Sequence, residues 1–208
     1  MFRVVVIKLA ISMLLISQAA VAGTHSLINA SRSGTQSNVF VSQALEGEYG
    51  HFNKISAGTT KEEGDSKIFR GYGIRNTLGV ELMKFTQFSV SHTFLDMRSR
   101  ANSLENLHGS RLQAEARLVF SSPIGNMEAG GGFTASKLDY TKQLDTADYL
   151  GSGYFYTLGI NYFLSPKVSF FGNGKVYREN MVRNGGSSSI ENIKTKTSGL
   201  GFGFSLWI

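Results

Sequence analysis

The sequence predicts an all-β protein: an eight-stranded antiparallel up-and-down transmembrane β-barrel preceded by a cleaved signal peptide. Three observations carry that reading. The first residues have the zones of a secretory leader, the remainder alternates apolar and polar residues with period two, and short and long links alternate between the segments that do so.

The leader is residues 1-22. Arg3 and Lys8 supply its positive charge, Leu9 to Ile16 is mostly apolar, and Ala20, Val21 and Ala22 form a small-x-small cleavage site. The uncharged run after Lys8 is too short for the roughly 20 residues that a helix needs to cross a bilayer, so a membrane anchor is disfavoured. The expected division is a signal peptide at 1-22, an N-terminal periplasmic extension at 23-44 that is polar until Val39, Phe40 and Val41, and a barrel at 45-208. A chain of 208 residues has length for one domain.

Cysteine is absent, which excludes a disulfide framework, a thiolate metal site and a lipidated cysteine at the cleavage point. The formal net charge is +6, and two of the bases lie in the leader, so the mature chain is only modestly basic. For an exported chain the nearest polyanion is lipopolysaccharide, and no nucleic-acid partner is expected. With 24 Gly, 15 Phe and 8 Tyr against 2 Pro, the composition fits a sheet protein.

Period two matters because successive strand side chains point to opposite faces. From Leu200 to Ile208 every even position is large and apolar, while Gly201, Gly203, Ser205 and Trp207 occupy the odd ones. Leu112, Ala114, Ala116, Leu118 and Phe120 alternate with Gln113, Glu115, Arg117 and Val119. Tyr72, Ile74, Leu78, Val80 and Leu82 share a face interrupted by Asn76, and Tyr154, Tyr156, Leu158, Ile160 and Tyr162 make another. The expected strands lie near 45 to 56, 68 to 83, 87 to 98, 111 to 120, 127 to 140, 154 to 163, 168 to 179 and 193 to 208. Between them, tight links near 83 to 87, 121 to 126 and 164 to 167 alternate with longer polar ones near 57 to 66, 99 to 110, 141 to 153 and 180 to 192.

That order is what a barrel with short periplasmic turns and longer extracellular loops requires. A soluble sandwich or lipocalin-like barrel is the competing reading, with the apolar face turned inward. It would overfill a small cylinder with bulky residues and leave Gly73, Gly79, Gly201 and Gly203 facing water.

From Leu45 to Ile208 the chain resembles the small outer-membrane β-barrel family typified by the transmembrane domain of outer membrane protein A and by outer membrane protein X. The resemblance rests on the leader, the eight alternating segments, the link order and the final strand GLGFGFSLWI. It implies an outer-membrane location, and an assembly signal for the barrel-assembly machinery at Gly203, Leu206 and Ile208. The family usually ends in an aromatic residue, and this chain ends in Ile208 after Trp207.

The alternation assigns Glu46, Glu48, Lys54, Arg75, Glu81, Glu115, Arg117, Glu128 and Lys175 to the interior. Charges so confined persist when paired, so an interior salt-bridge network is expected. The resemblance also allows a narrow ion path, which an eight-stranded interior hardly has room for. His25, His51, His92 and His108 show no metal-ligand spacing to one another. His92 shares an outward face with Phe88, Val90 and Phe94, but lacks the His-x-Ser pattern of outer-membrane lipid A deacylases, because Phe94 stands two residues on and Ser91 points the other way. The glycines of GYGIRN and GGGF precede no helix pattern and read as strand glycines. Leu144, Tyr149, Leu150 and Arg183 are expected in long loops, with Arg178 at the edge of the last.

The expectation is a monomeric, non-enzymatic structural or surface-interaction barrel with no cofactor, no metal and no catalytic residue, and with outer-membrane lipid and lipopolysaccharide as partners. The alternatives are a lipid A-modifying enzyme and a narrow ion channel.

Overall fold

In the computed structural model, residues 39–56, 67–82, 85–100, 104–122, 125–142, 145–186 and 190–208 are described, with the side chains of 53–56, 67, 121–122, 145 and 190–191 outside that description. The expected signal peptide and residues 23–38 of the expected extension lie outside the described residues.

Eight strands follow one another: β1 Val39–Ser56, β2 Lys67–Leu82, β3 Thr86–Ser99, β4 Glu105–Ser122, β5 Gly125–Lys142, β6 Asp145–Phe163, β7 Val168–Gly186 and β8 Ile190–Trp207. Each pairs antiparallel with the next, and β1 pairs antiparallel with β8, so the sheet closes into a barrel. At the seam Phe40 faces Trp207 and Phe52 faces Thr195, with one register shift between Ile55 and Ser56. The Ile208 amide donates to the Val39 carbonyl at 3.0 Å, and the Trp207 amide donates to the Lys167 carbonyl at 2.8 Å.

The bulky rows face outward. Leu158 is 70 % exposed and Phe133 73 %, while the inward-pointing Arg75 and Arg111 are 1 % exposed. An apolar exterior around a charged interior is the inverse of a soluble barrel, and hydrocarbon is the solvent it fits.

The strands run longer than the expected segments, from 14 residues in β3 to 19 in β6 and β7, where about 9–11 suffice to span the hydrocarbon layer. Two boundaries are thereby corrected. Residues 39–44, expected in the N-terminal extension, are the start of β1. Most residues expected in the second, third and fourth long links instead continue the strands, so β5 and β6 are joined through 143–144 alone, and strict alternation of link length is lost.

The cause is a change of solvent along the wall. At the end that holds Val39 and Ile208 the outward residues are mostly apolar, and the inward ones are polar or small above a rim of Phe40, Phe163 and Trp207. At the distal end the pattern inverts: Leu95, Met97, Leu107, Leu138, Tyr140, Tyr149 and Met181 are buried inside, while Arg98, His108, Lys137 and Asp148 are exposed outside. Strands that leave the hydrocarbon obey the rule of a barrel in water. Two glycines make room for this packing. A Cβ on Gly79 would stand 2.2 Å from the Phe40 ring, and one on Gly201 would stand 2.7 Å from Asn173 Oδ1 and 3.2 Å from the Glu46 side chain.

A charge on the outer belt therefore has a direct cost. Leu158→Arg should destabilise the barrel in lipid vesicles by about 2–4 kcal/mol, whereas Ser198→Arg, nearer the polar distal band, should cost about 1 kcal/mol or less; denaturant titration of the reconstituted protein checks both.

Candidate functional site

The lumen is layered. Near the termini Phe40, Phe163 and Trp207 form an aromatic cluster, with centroids 4.8 Å apart for Phe40 and Trp207 and 6.0 Å apart for Phe163 and Trp207. The Trp207 indole donates to Ser169 Oγ at 3.1 Å. At the distal end a larger apolar cluster includes Phe52, Phe69, Met97, Leu138 and Tyr149. Ionised side chains fill the space between.

Arg111 on β4 is the centre of that layer. It crosses the lumen to Glu48 on β1 at 2.6 Å and to Glu179 on β7 at 2.9 and 3.1 Å. Ser136 donates to the same Glu179 at 2.6 Å. Arg117 holds Glu115 at 2.7 and 2.8 Å, a two-pronged contact, and Glu128 at 2.7 Å. Lys175 on β7 reaches Glu115 at 3.1 Å and Gln113 Oε1 at 2.7 Å. Arg75 pairs with Glu46, and Gln87 donates to Glu81 at 3.1 Å. Aromatic faces complete the cages: Arg111 lies 4.2 Å from the Tyr177 ring centroid, Lys175 4.6 Å from Phe155 and Arg75 5.8 Å from Phe171.

Of the interior residues named from sequence, Glu46, Glu48, Arg75, Glu81, Glu115, Arg117, Glu128 and Lys175 all stand in this layer, with Arg117 the least enclosed at 10 % side-chain exposure. Lys54 pairs through its backbone with Ile193, and its side chain lies outside the described residues. Sequence reasoning missed Arg111, Glu179 and Glu105, the last of which accepts from the Tyr140 hydroxyl. Arg111 and Glu179 stood at the ends of their expected strands, where period two had no flanking residues to support it. Between the aromatic cluster and Arg75 and Arg117 the described residues enclose a cavity of about 10 Å³, room for about one water. At this level the lumen is filled by side chains.

The residues of the expected assembly signal lie in and just past the closing strand. Gly203 faces inward beside Ala44, Leu206 faces outward and pairs with Val41, and Ile208 is exposed. His92 is half-buried on the outer wall with its ring edge-on to Phe94 at 4.4 Å, and Ser91 faces inward against Thr77 at 3.0 Å. Another histidine is better placed. His108 Nε2 lies 3.6 Å from Asp139 Oδ2 on the distal outer wall, and Ser110, two residues along β4, shares its face. His108, Gly109 and Ser110 carry the His-x-Ser order that His92 lacks, a signal present in the sequence and overlooked. No hydrogen bond joins His108 to Ser110. Above them a recess of about 760 Å³ runs from Tyr72 and Phe94 to Lys137 and Asp139. His51 is exposed on β1, and His25 lies outside the described residues. Among the described residues no three metal-ligating side chains converge.

Removing Arg111 should be the most damaging single change in the lumen. Arg111→Leu strands two buried carboxylates and should cost about 3–5 kcal/mol, and converting Glu48 and Glu179 to Gln in the same chain should recover a large part of it. Unfolding in detergent micelles measures both variants.

No protein-family description matches the chain, and no curated protein matches it. Solved structures do. Outer membrane protein OprG from Pseudomonas aeruginosa is 12% identical with a TM-score of 0.55, the match covering 84% of this chain and 98% of that one. Outer membrane protein AlkL, solved in lipid bilayers, is 8% identical with a TM-score of 0.56, the match covering 86% of this chain and 93% of that one. At such identity the likeness is one of fold: the chain has the closed barrel fold of the small outer-membrane β-barrels.

Proposed function

We propose that the chain is a non-enzymatic barrel of the Gram-negative outer membrane, exported through its leader, with a structural or surface-interaction role. The observation that carries this is the outer wall itself. A belt of exposed aliphatic and aromatic residues is topped, at the end away from the termini, by outward-facing Arg70, Arg98, Lys137, Arg178, Lys194 and Lys196, against Asp96, Asp139 and Asp148. An apolar girdle sets the depth in the bilayer, and the basic band then stands where lipopolysaccharide carries its phosphates. Gly203, Leu206 and Ile208 would present the closing strand to the barrel-assembly machinery, and the filled lumen leaves surface contact as the function. Closure leaves no strand edge for a second copy to pair with, which supports reading the protein as a monomer.

The protein should sediment with outer membranes and change gel mobility on boiling. Recovery in the soluble periplasm would reject the reading.

One observation favours a second reading, ester hydrolysis at the outer wall: the His108 and Asp139 pair with Ser110 on the same face. A base oriented by a carboxylate beside a hydroxyl is the arrangement of an activated nucleophile, and such contacts often tighten only when substrate binds. If the chain removed acyl groups from lipid A, Ser110→Ala would restore the full acyl count in cells expressing it. Identical lipid A mass spectra with wild type, with Ser110→Ala and without the protein would dismiss the enzyme.

A further inference from the structure

The basic band is not uniform around the cylinder. On β3, β4 and β5 its charges are balanced. Asp96 and Asp139 stand among Arg98 and Lys137, the Tyr72 hydroxyl donates to Asp96 at 3.5 Å, and His108 pairs with Asp139.

On β7, β8 and β1 there is no such balance. Across these strands the register puts Tyr154 opposite Arg178, Arg178 opposite Lys196, and Lys196 opposite His51. The next row toward the distal end holds Ser152, Asn180 and Lys194. All of these face outward, and no carboxylate is among them. Like charges set directly opposite on one face of an antiparallel pair destabilise it. Arg178 and Lys196 are such a pair, and neither forms an ion pair among the described residues. Around them lies an outward-opening recess of about 400 Å³, lined also by Tyr154, Asn180 and Lys194. One outward row toward Val39 and Ile208, at Tyr156, Val176, Ser198 and Tyr49, the wall turns largely apolar, and Leu200 follows in the row after.

We infer that this recess is a binding site for the phosphate of a membrane-seated lipid headgroup, held by Arg178 and Lys196. An anion between the two bases converts their repulsion into two charge-assisted hydrogen bonds. The guanidinium offers a planar fork and the ammonium a point charge, and Asn180 and Tyr154 can donate alongside. The depth selects the occupant: a phosphate here sits at the edge of the hydrocarbon, where a lipid presents it and a soluble anion gains no apolar contact. This deepens the lipopolysaccharide reading above and rests on it, but places the contact on the barrel wall instead of the loops.

The test titrates bis-phosphorylated lipid A, anionic phosphatidylglycerol and inorganic phosphate into the full-length refolded protein in neutral detergent, following the thermal midpoint. Wild type should be stabilised by lipid A well below the concentrations at which inorganic phosphate acts. Arg178→Gln with Lys196→Gln should weaken the apparent lipid A affinity about tenfold or more, while Arg98→Gln with Lys137→Gln should leave it within about twofold. Without lipid, the Arg178 and Lys196 variant should be at least as stable as wild type, because a repulsion is gone; Lys196→Gln alone gives the same comparison if the double variant folds poorly. An unchanged lipid A affinity in that variant overturns the site while leaving the outer-membrane location standing. Equal response to inorganic phosphate overturns the lipid as occupant, and a response to phosphatidylglycerol matching that to lipid A supports a general phospholipid site. Failure of the wild-type chain to enter lipid vesicles overturns the site and the location together.

Discussion

The pairing of β1 with β8 is the constraint on which the rest of this molecule depends. In hydrocarbon an unpaired amide or carbonyl has no water to turn to, so a sheet that enters a membrane must leave no edge. Phe40 to Lys54 run in continuous register against β8, and the last amide of the chain reaches back to the first described residue. Once the ladder is closed, the direction of every side chain follows from its parity. Even positions of β1 and odd positions of β8 share one lumen, and whatever charge they carry must be neutralised there.

That lumen is narrow, which decides its chemistry. Eight strands enclose only enough space for side chains, and here the space is divided among an aromatic floor, an ionic middle and an apolar cap. The bases are held by carboxylates at their nitrogens and by aromatic rings at their faces. A carboxylate left without its cation in such a place is far more costly than the pair is stabilising. The network is therefore better understood as a set of mutual obligations than as a store of stability.

Much of this was legible in the residues. Strict alternation in Leu200 to Ile208 and Leu112 to Phe120 told which side of the sheet was greasy, and the glycines opposite told which side was crowded. The barrel and its strand count followed from that pattern. What escaped was the distal third of the wall. Tyr149 and Leu150 looked like apolar residues in a polar loop, because a strand that passes from hydrocarbon into water exchanges the character of its two faces, and the alternation loses its sign before it loses its period. Arg111 and Glu179 lie near that crossover. The His108 and Asp139 pair was illegible for another reason: it joins neighbouring strands through a register that sequence does not fix.

The reach of Arg111 also bears on the order of assembly. It stands on β4, and its two carboxylates come from β1 and β7, the strands on either side of β8 across the cylinder. A partly formed sheet that has not yet curled round can bring no two of these three strands into register with the guanidinium. The three charges thus keep their water until the last hairpin docks, and their dehydration coincides with ring closure. Such a late step makes the final stage of folding cooperative: an open intermediate has little to gain from the core, and the finished cylinder has little freedom to unzip one strand at a time.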